Sequence, residues 1–229
     1  MRPLARWLDQ ALAIVRKDLR REARARDHAV SVLVLALLLL LTFAFAFDVA
    51  GEQVRRAAPG ILWVTLIFTG MLNAGRLFTG ERERGTLEGL LLAPVDRGAI
   101  YFGKFLGSFI VMALVEALVL PAYAVFFNLP ALAPGVLVVV VTGTAGFAAL
   151  ATLFAAVAAN TRAREVLLPV LLLPVATPLV IAGVRATDVA LGGPVAGEGL
   201  PWLQLAIAAG ALYFGVALIL SDYVLEELS

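Results

Sequence analysis

The sequence predicts an all-α integral membrane protein of six transmembrane helices with both termini cytoplasmic. Three observations predict it. With 62% hydrophobic residues, 15% charged residues and a mean hydropathy of +0.96, the composition lies far outside the range of soluble domains. Six apolar segments follow one another through the 229 residues with short links, each near the roughly 20 residues that a helix needs to cross the hydrocarbon core. Of the 18 Lys and Arg, fifteen fall in residues 1–28, 76–104 and 160–165, and three in residues 48–59 and 185–201. Positive charge is retained on the cytoplasmic face, so the first set of segments is assigned inside and the second outside.

Ahead of the first span, Leu4, Trp7, Leu8, Ala11, Leu12, Val15, Leu19 and Ala23 recur at three- and four-residue steps, while Arg6, Arg16, Lys17, Arg20 and Arg24 take other faces. Residues 1–28 are therefore expected to form an amphipathic helix in the membrane surface. Its basic side faces anionic headgroups and its Trp7 face sinks among the acyl chains. Such a helix serves either as an anchor or as the flank of a docking surface for a cytoplasmic partner. The spans are expected at 29–47, 60–75, 105–127, 135–159, 166–184 and 202–221, within a single permease domain covering 1–229. In the fifth, Pro169, Pro174 and Pro178 each delete a backbone donor, which predicts a kink or break where protein or water meets the freed carbonyls. Gly103 and Gly107 form a small-xxx-small pair that lets the third span pack closely or self-associate. Trp7, Trp63 and Trp202 are expected at or near the interfaces.

Between spans two and three lies a charged island, Arg76 to Arg97, RLFTGERERGTLEGLLLAPVDR. A handful of polar residues is enough to turn a chain round, so this segment is built for more. Thr86 caps a short helix and Glu88 falls in its first turn, where a carboxylate suits the helix dipole. Gly85 frees the chain to enter it, Leu87, Leu90 and Leu91 share one face, and Pro94 ends it by pushing Ala93 out of helical geometry. An apolar face flanked by Glu81-Arg82-Glu83-Arg84 is a peg for another protein's groove; the alternative is a re-entrant loop packed on its own bundle.

The chain offers little chemistry of its own. Without cysteine it has no disulfide, CxxCH haem attachment or thiolate metal site. Its single histidine, His28, beside Asp27 at a span boundary, reads as a solvated interfacial side chain rather than a haem ligand. Gly98 to Lys104 imitates the start of a P-loop, but Phe105 stands where Ser or Thr must hold magnesium. No catalytic constellation accompanies it, so the chain is read as a non-enzyme that draws energy from another polypeptide. Glu116 is the one carboxylate well inside a span. Burying it costs on the order of 3 kcal/mol on insertion scales, so it faces protein or water. It is either a polar point on a transport path or dimer seam, together with Pro169, Pro174 and Pro178, or a protonated carboxyl bonded to a neighbouring carbonyl. One such group is thin support for an ion-driven transporter. The net charge of +1 averages over two unlike faces, and no nucleic-acid partner is expected.

Ala58-Pro59-Gly60-Ile61-Leu62-Trp63-Val64, then Arg76-Leu77-Phe78, then Gly85-Thr86-Leu87-Glu88-Gly89-Leu90-Leu91-Leu92-Ala93-Pro94 resemble the cytochrome c maturation protein B family, the membrane subunit of a haem-exporter ABC transporter. The Leu-Pro-rich fifth span, Leu168-Pro169 through Thr177-Pro178-Leu179, agrees. The Gly-Thr-Leu-Glu and Leu-Leu-x-x-Pro pieces belong to the wider ABC-2 permease superfamily. The resemblance implies a homodimeric permease of the bacterial inner membrane, embedded in lipid. Two ATPase subunits, cytochrome c maturation protein A, would dock on a coupling helix through Arg76, Phe78, Arg84, Gly85, Thr86, Leu87, Glu88, Leu90, Leu91 and Pro94. Proteins C and D would be further partners and a haem chaperone an indirect one. Haem would be the transported species, ATP and magnesium would sit on the partner, and no cofactor would sit on this chain. The alternative is an ABC-2 exporter of another lipophilic substrate.

Overall fold

The computed structural model describes residues 2–25, 27–47, 52–78, 85, 95–159, 161, 163–193 and 199–226. These residues form seven helices and no strand: α1 (Arg2–Ala25), α2 (Asp27–Ala46), α3 (Glu52–Ala74), α4 (Arg97–Phe127), α5 (Pro134–Ala158), α6 (Arg164–Ala190) and α7 (Gly199–Glu226). The last six are long and apolar enough to cross a membrane. Helices are what such a sequence must form, because hydrocarbon offers no partner to an open backbone N–H or C=O.

Helix ends follow local chemistry. The Asp96 side chain caps α4 by accepting from the Ala99 N–H at 3.2 Å. Asn128 ends α4 at φ +49°, a left-handed conformation that asparagine tolerates, and its N–H returns to the Ala124 carbonyl. Pro134 opens α5 at a position where a missing N–H costs nothing.

The three largest differences from the expected boundaries each have one reason. The third membrane helix begins at Arg97 rather than 105, because Lys104 is satisfied within the protein instead of marking an exit to water. At 31 residues α4 is about 46 Å long, well beyond the roughly 30 Å of the hydrocarbon core. The second begins at Glu52, since Pro59 is carried inside α3 rather than starting it. The fifth runs on past 184 to Ala190, with Thr187 fully buried. That helix is also continuous through Pro169, Pro174 and Pro178. The Tyr213 hydroxyl donates to the Val175 carbonyl at 2.6 Å and the Thr177 hydroxyl to the Leu173 carbonyl at 2.9 Å, next to but not at the carbonyls of residues 170 and 174, which lose their usual donors to Pro174 and Pro178.

Close packing rests on small residues. Gly146 of α5 faces Gly210 of α7, where an added Cβ would stand 2.9 Å from the opposing Cα. Trp63 is not interfacial: it is 2% exposed at the middle of α3 and donates from Nε1 to Thr187 Oγ1 of α6 at 2.9 Å. Its ring lies directly against Gly143 of α5 and Gly183 of α6, where a Cβ would overlap it. Gly143→Ala is therefore expected to lower stability by about 1–3 kcal/mol through overpacking, and to cost markedly less in a Trp63→Phe background. Thermal unfolding of the purified protein in detergent measures both, and equal costs in the two backgrounds would contradict the assignment.

Candidate functional site

A cluster of polar groups lies at one end of the bundle, where α1 lies along the start of α4. Ala11, Ile14 and Val15 of α1 are buried, and Gly103 admits them: a Cβ there would meet Ile14 and the Ala11 carbonyl within 3.0 Å. The small-residue pair of span three is thus occupied by the chain's own first helix. Trp7 Nε1 donates to Asp96 Oδ1 at 3.0 Å and its ring lies tilted against that of Phe102, centroids 5.2 Å apart. One carboxylate therefore both caps α4 and fastens α1 to it. Leu8 and Leu12 remain exposed, whereas the Trp7 face, expected among the acyl chains, packs on α4.

Lys104 is the centre of this end. It is 1% exposed, with Nζ 3.0 Å from Asp18 Oδ2 of α1 and donating to the Leu77 carbonyl at 2.9 Å. The ammonium also lies 5.2 Å from the Phe78 ring centroid. A buried ammonium needs such partners, and here they come from α1 and from the segment just after α3. Next to it, Asn73 Nδ2 donates to Ser108 Oγ at 2.7 Å while Asn73 Oδ1 lies 3.1 Å from His28 Nε2. With oxygen as the acceptor, Nε2 carries the proton and Nδ1 is left without a partner. His28 is thus a half-buried, hydrogen-bonded residue, not a solvated one. The Glu22 carboxylate accepts from the Ala29 N–H at 2.7 Å, tying the end of α1 to the start of α2.

Two cavities open here. The larger, about 650 Å³, lies among α3, the end of α5 and the start of α6. The smaller, about 200 Å³, is lined by Asp18, Glu22, Asp27 and His28 among others. Arg21 and Arg76 border both.

The residues singled out from sequence fall as follows. Arg76 is exposed at the cavity rim, whereas Phe78 is buried beneath Lys104. Gly85 has φ +62°, the left-handed region that favours glycine. Arg84, Thr86, Leu87, Glu88, Leu90, Leu91 and Pro94, and with them the expected coupling helix, lie outside the described residues. Glu116 is buried between α4 and α5, where Thr144 Oγ1 donates to its Oε1 at 2.6 Å; its partner is a hydroxyl rather than a carbonyl, and it lines neither cavity. Pro169 borders the larger cavity, while Pro174 and Pro178 are exposed on α6. Sequence reading missed Asp18, Asn73 and Lys104. The signal was a lysine adjoining an apolar run whose carboxylate partner lies 86 positions earlier in the chain.

These features define a class: a polytopic α-helical membrane protein whose first helix is an amphipathic element locked to the bundle by a buried ion pair. The chain belongs to the CcmB protein family, whose model matches residues 9–221. It is 35% identical over 136 residues to heme exporter protein B of Rhodobacter capsulatus, covering 58% of this chain and 62% of that protein. Against heme exporter protein B of Paracoccus denitrificans it is 33% identical over 137 residues, covering 59% and 63%. For the Pseudomonas aeruginosa protein of that name the figures are 28% over 153 residues, 66% and 69%. The matched stretch thus spans a little over three fifths of the first two relatives. With six apolar helices and bacterial relatives, this is a multi-pass inner-membrane protein.

Asp18→Ala is expected to cost about 3 kcal/mol because it strands a buried ammonium, whereas Asp18→Ala with Lys104→Met should recover most of that loss. Chemical or thermal unfolding in detergent reads the cycle. Additive losses would show that the two side chains do not act as a pair.

Proposed function

We propose that this protein is the membrane subunit of a haem exporter in c-type cytochrome biogenesis, coupling ATP hydrolysis on a partner to the handling of haem or a haem-loaded chaperone. The family match over residues 9–221, with relatives named heme exporter protein B, carries this reading. Energy has to come from elsewhere, because the run Gly98 to Lys104 is helical and Lys104 is engaged by Asp18 and Leu77, which leaves no phosphate-binding loop there.

In this reading both termini and residues 76–104 face the cytoplasm, as their Lys and Arg content favours. The ATPase, cytochrome c maturation protein A, docks on residues 84–94, with Leu87, Leu90 and Leu91 as the apolar contact and Arg84 and Glu88 setting its register. The chain works as a homodimer with proteins C and D. The Lys104 bond to Leu77 supports a mechanical role for this region: it fixes the chain where it leaves α3, so force applied to the docking segment passes into α3 and α4 rather than being absorbed by a slack linker.

Haem staining of covalently loaded c-type cytochromes after deletion of the gene tests the reading. Loss on deletion, recovery with the wild-type copy and a large deficit with Glu88→Lys are expected. Normal cytochromes in the deletion strain would reject it in favour of an exporter of another lipophilic cargo.

A further inference from the structure

The larger cavity has an unusual lining. Its volume of about 650 Å³ lies within the range of small-molecule sites, about 300–1,000 Å³. Its charged lining residues, Arg21 from α1 and Arg76 just after α3, are both cationic. Neither is paired with a carboxylate among the described residues. Both arginines also border the smaller cavity, with Asp18, Glu22 and Asp27; of these, Asp18 holds Lys104 and Glu22 accepts from Ala29. The rest of the wall is mainly apolar, with Phe68, Met71, Leu72, Phe78 and Leu168.

The mouth is apolar too. Phe68 on the α3 wall is 47% exposed, and Val166 and Val170, flanking Leu168 and Pro169 on α6, are 66% and 60% exposed. A cleft with an apolar flank on a membrane-spanning helix faces hydrocarbon, while the two arginines sit at the helix ends, the level of the headgroups. A water-soluble anion would satisfy the arginines and leave the apolar wall unmatched. A neutral hydrophobe would do the reverse and leave the two guanidinium groups with water alone. An amphiphile with an acidic head and an apolar body satisfies both.

We propose that this cavity binds an anionic amphiphile that enters from the lipid phase, with its acidic group on Arg21 and Arg76 and its apolar portion against Phe68, Met71 and Leu168. Two sources share that chemistry: an acidic phospholipid and a carboxylate-bearing macrocycle such as haem. The proposal does not rest on haem export, since it is read by direct binding.

The test uses the full chain in nanodiscs with photoreactive phosphatidylglycerol, and with photoreactive phosphatidylcholine as the zwitterionic comparison. Labelling of the α3 and α6 walls by the phosphatidylglycerol probe is expected to exceed that by phosphatidylcholine at least fivefold. It should fall to the phosphatidylcholine level in Arg21→Gln/Arg76→Gln, and persist in Arg21→Lys/Arg76→Lys and in the Arg16→Gln control. Competition by haem but not by its dimethyl ester would show that macrocycle carboxylates take the same site. Failure of haem to compete, with the lipid labelling intact, would assign it to phospholipid. Equal labelling by the two lipid probes, or labelling unchanged in the double Gln variant, would overturn the proposal. Neither of those results bears on holocytochrome formation, so the two readings fail separately.

Discussion

A lysine ammonium cut off from water has to be met by the protein, and three elements of this bundle are arranged around that need at Lys104. Asp18 supplies the countercharge from α1, the Leu77 carbonyl accepts beyond the end of α3, and the Phe78 ring lies beside the charge. Coulomb attraction between unit charges at about 3 Å is worth several kcal/mol at intermediate dielectric, and desolvation consumes much of that. The net effect is therefore less added stability than a fixed geometry: any other position of α1 or of the chain after α3 would strand a buried charge. Gly103, one residue before, admits α1 closely enough for Asp18 to reach. The Trp7 to Asp96 bond fixes the same helix about three turns before Asp18.

The remainder of the bundle is held differently. Lipid tails are as apolar as leucine, so helices associate through close contact rather than through the hydrophobic effect. Gly146 against Gly210, and Trp63 inserted against Gly143 and Gly183, provide that contact between α5 and α7 and among α3, α5 and α6. The ion pair and these glycine crossings divide the work: the crossings set the spacing of the spans, and the ion pair sets the position of the one helix that does not need to cross the membrane.

The six spans were legible in the sequence because crossing hydrocarbon demands about 20 apolar residues and little else satisfies that demand. Their ends were less so. A reading that stops at a charge or a proline loses two turns of α4 before Lys104 and the part of α3 before Pro59, since neither residue shows in sequence whether a fold accommodates it. The amphipathic face of α1 was legible, but periodicity gives a face without saying what covers it, and part of that face packs on α4. Gly103 and Gly107 announced a close approach, without saying that α1 makes it. Trp63 carried no local signal of burial, because Gly143, Gly183 and Thr187 lie 80 or more positions away in the chain. For the site, Arg76 could be found as a charge beside an apolar run and Glu116 as one within a span, whereas Asn73 and Asp18 are ordinary residues until the fold brings them to His28, Ser108 and Lys104.

The proposed coupling depends on which side of the membrane the Lys104 end faces and on what meets the segment it anchors. The absence of native cysteine makes both accessible to single introduced thiols. The most direct measurement places one cysteine at Leu90 and, separately, one at Arg55, in membranes carrying the ATPase subunit. The account predicts that Leu90→Cys cross-links to the ATPase and is shielded from an impermeant maleimide added outside, while Arg55→Cys is labelled from outside and forms no such cross-link. Labelling of Leu90→Cys from outside, or cross-linking of the ATPase through Arg55→Cys, would contradict it.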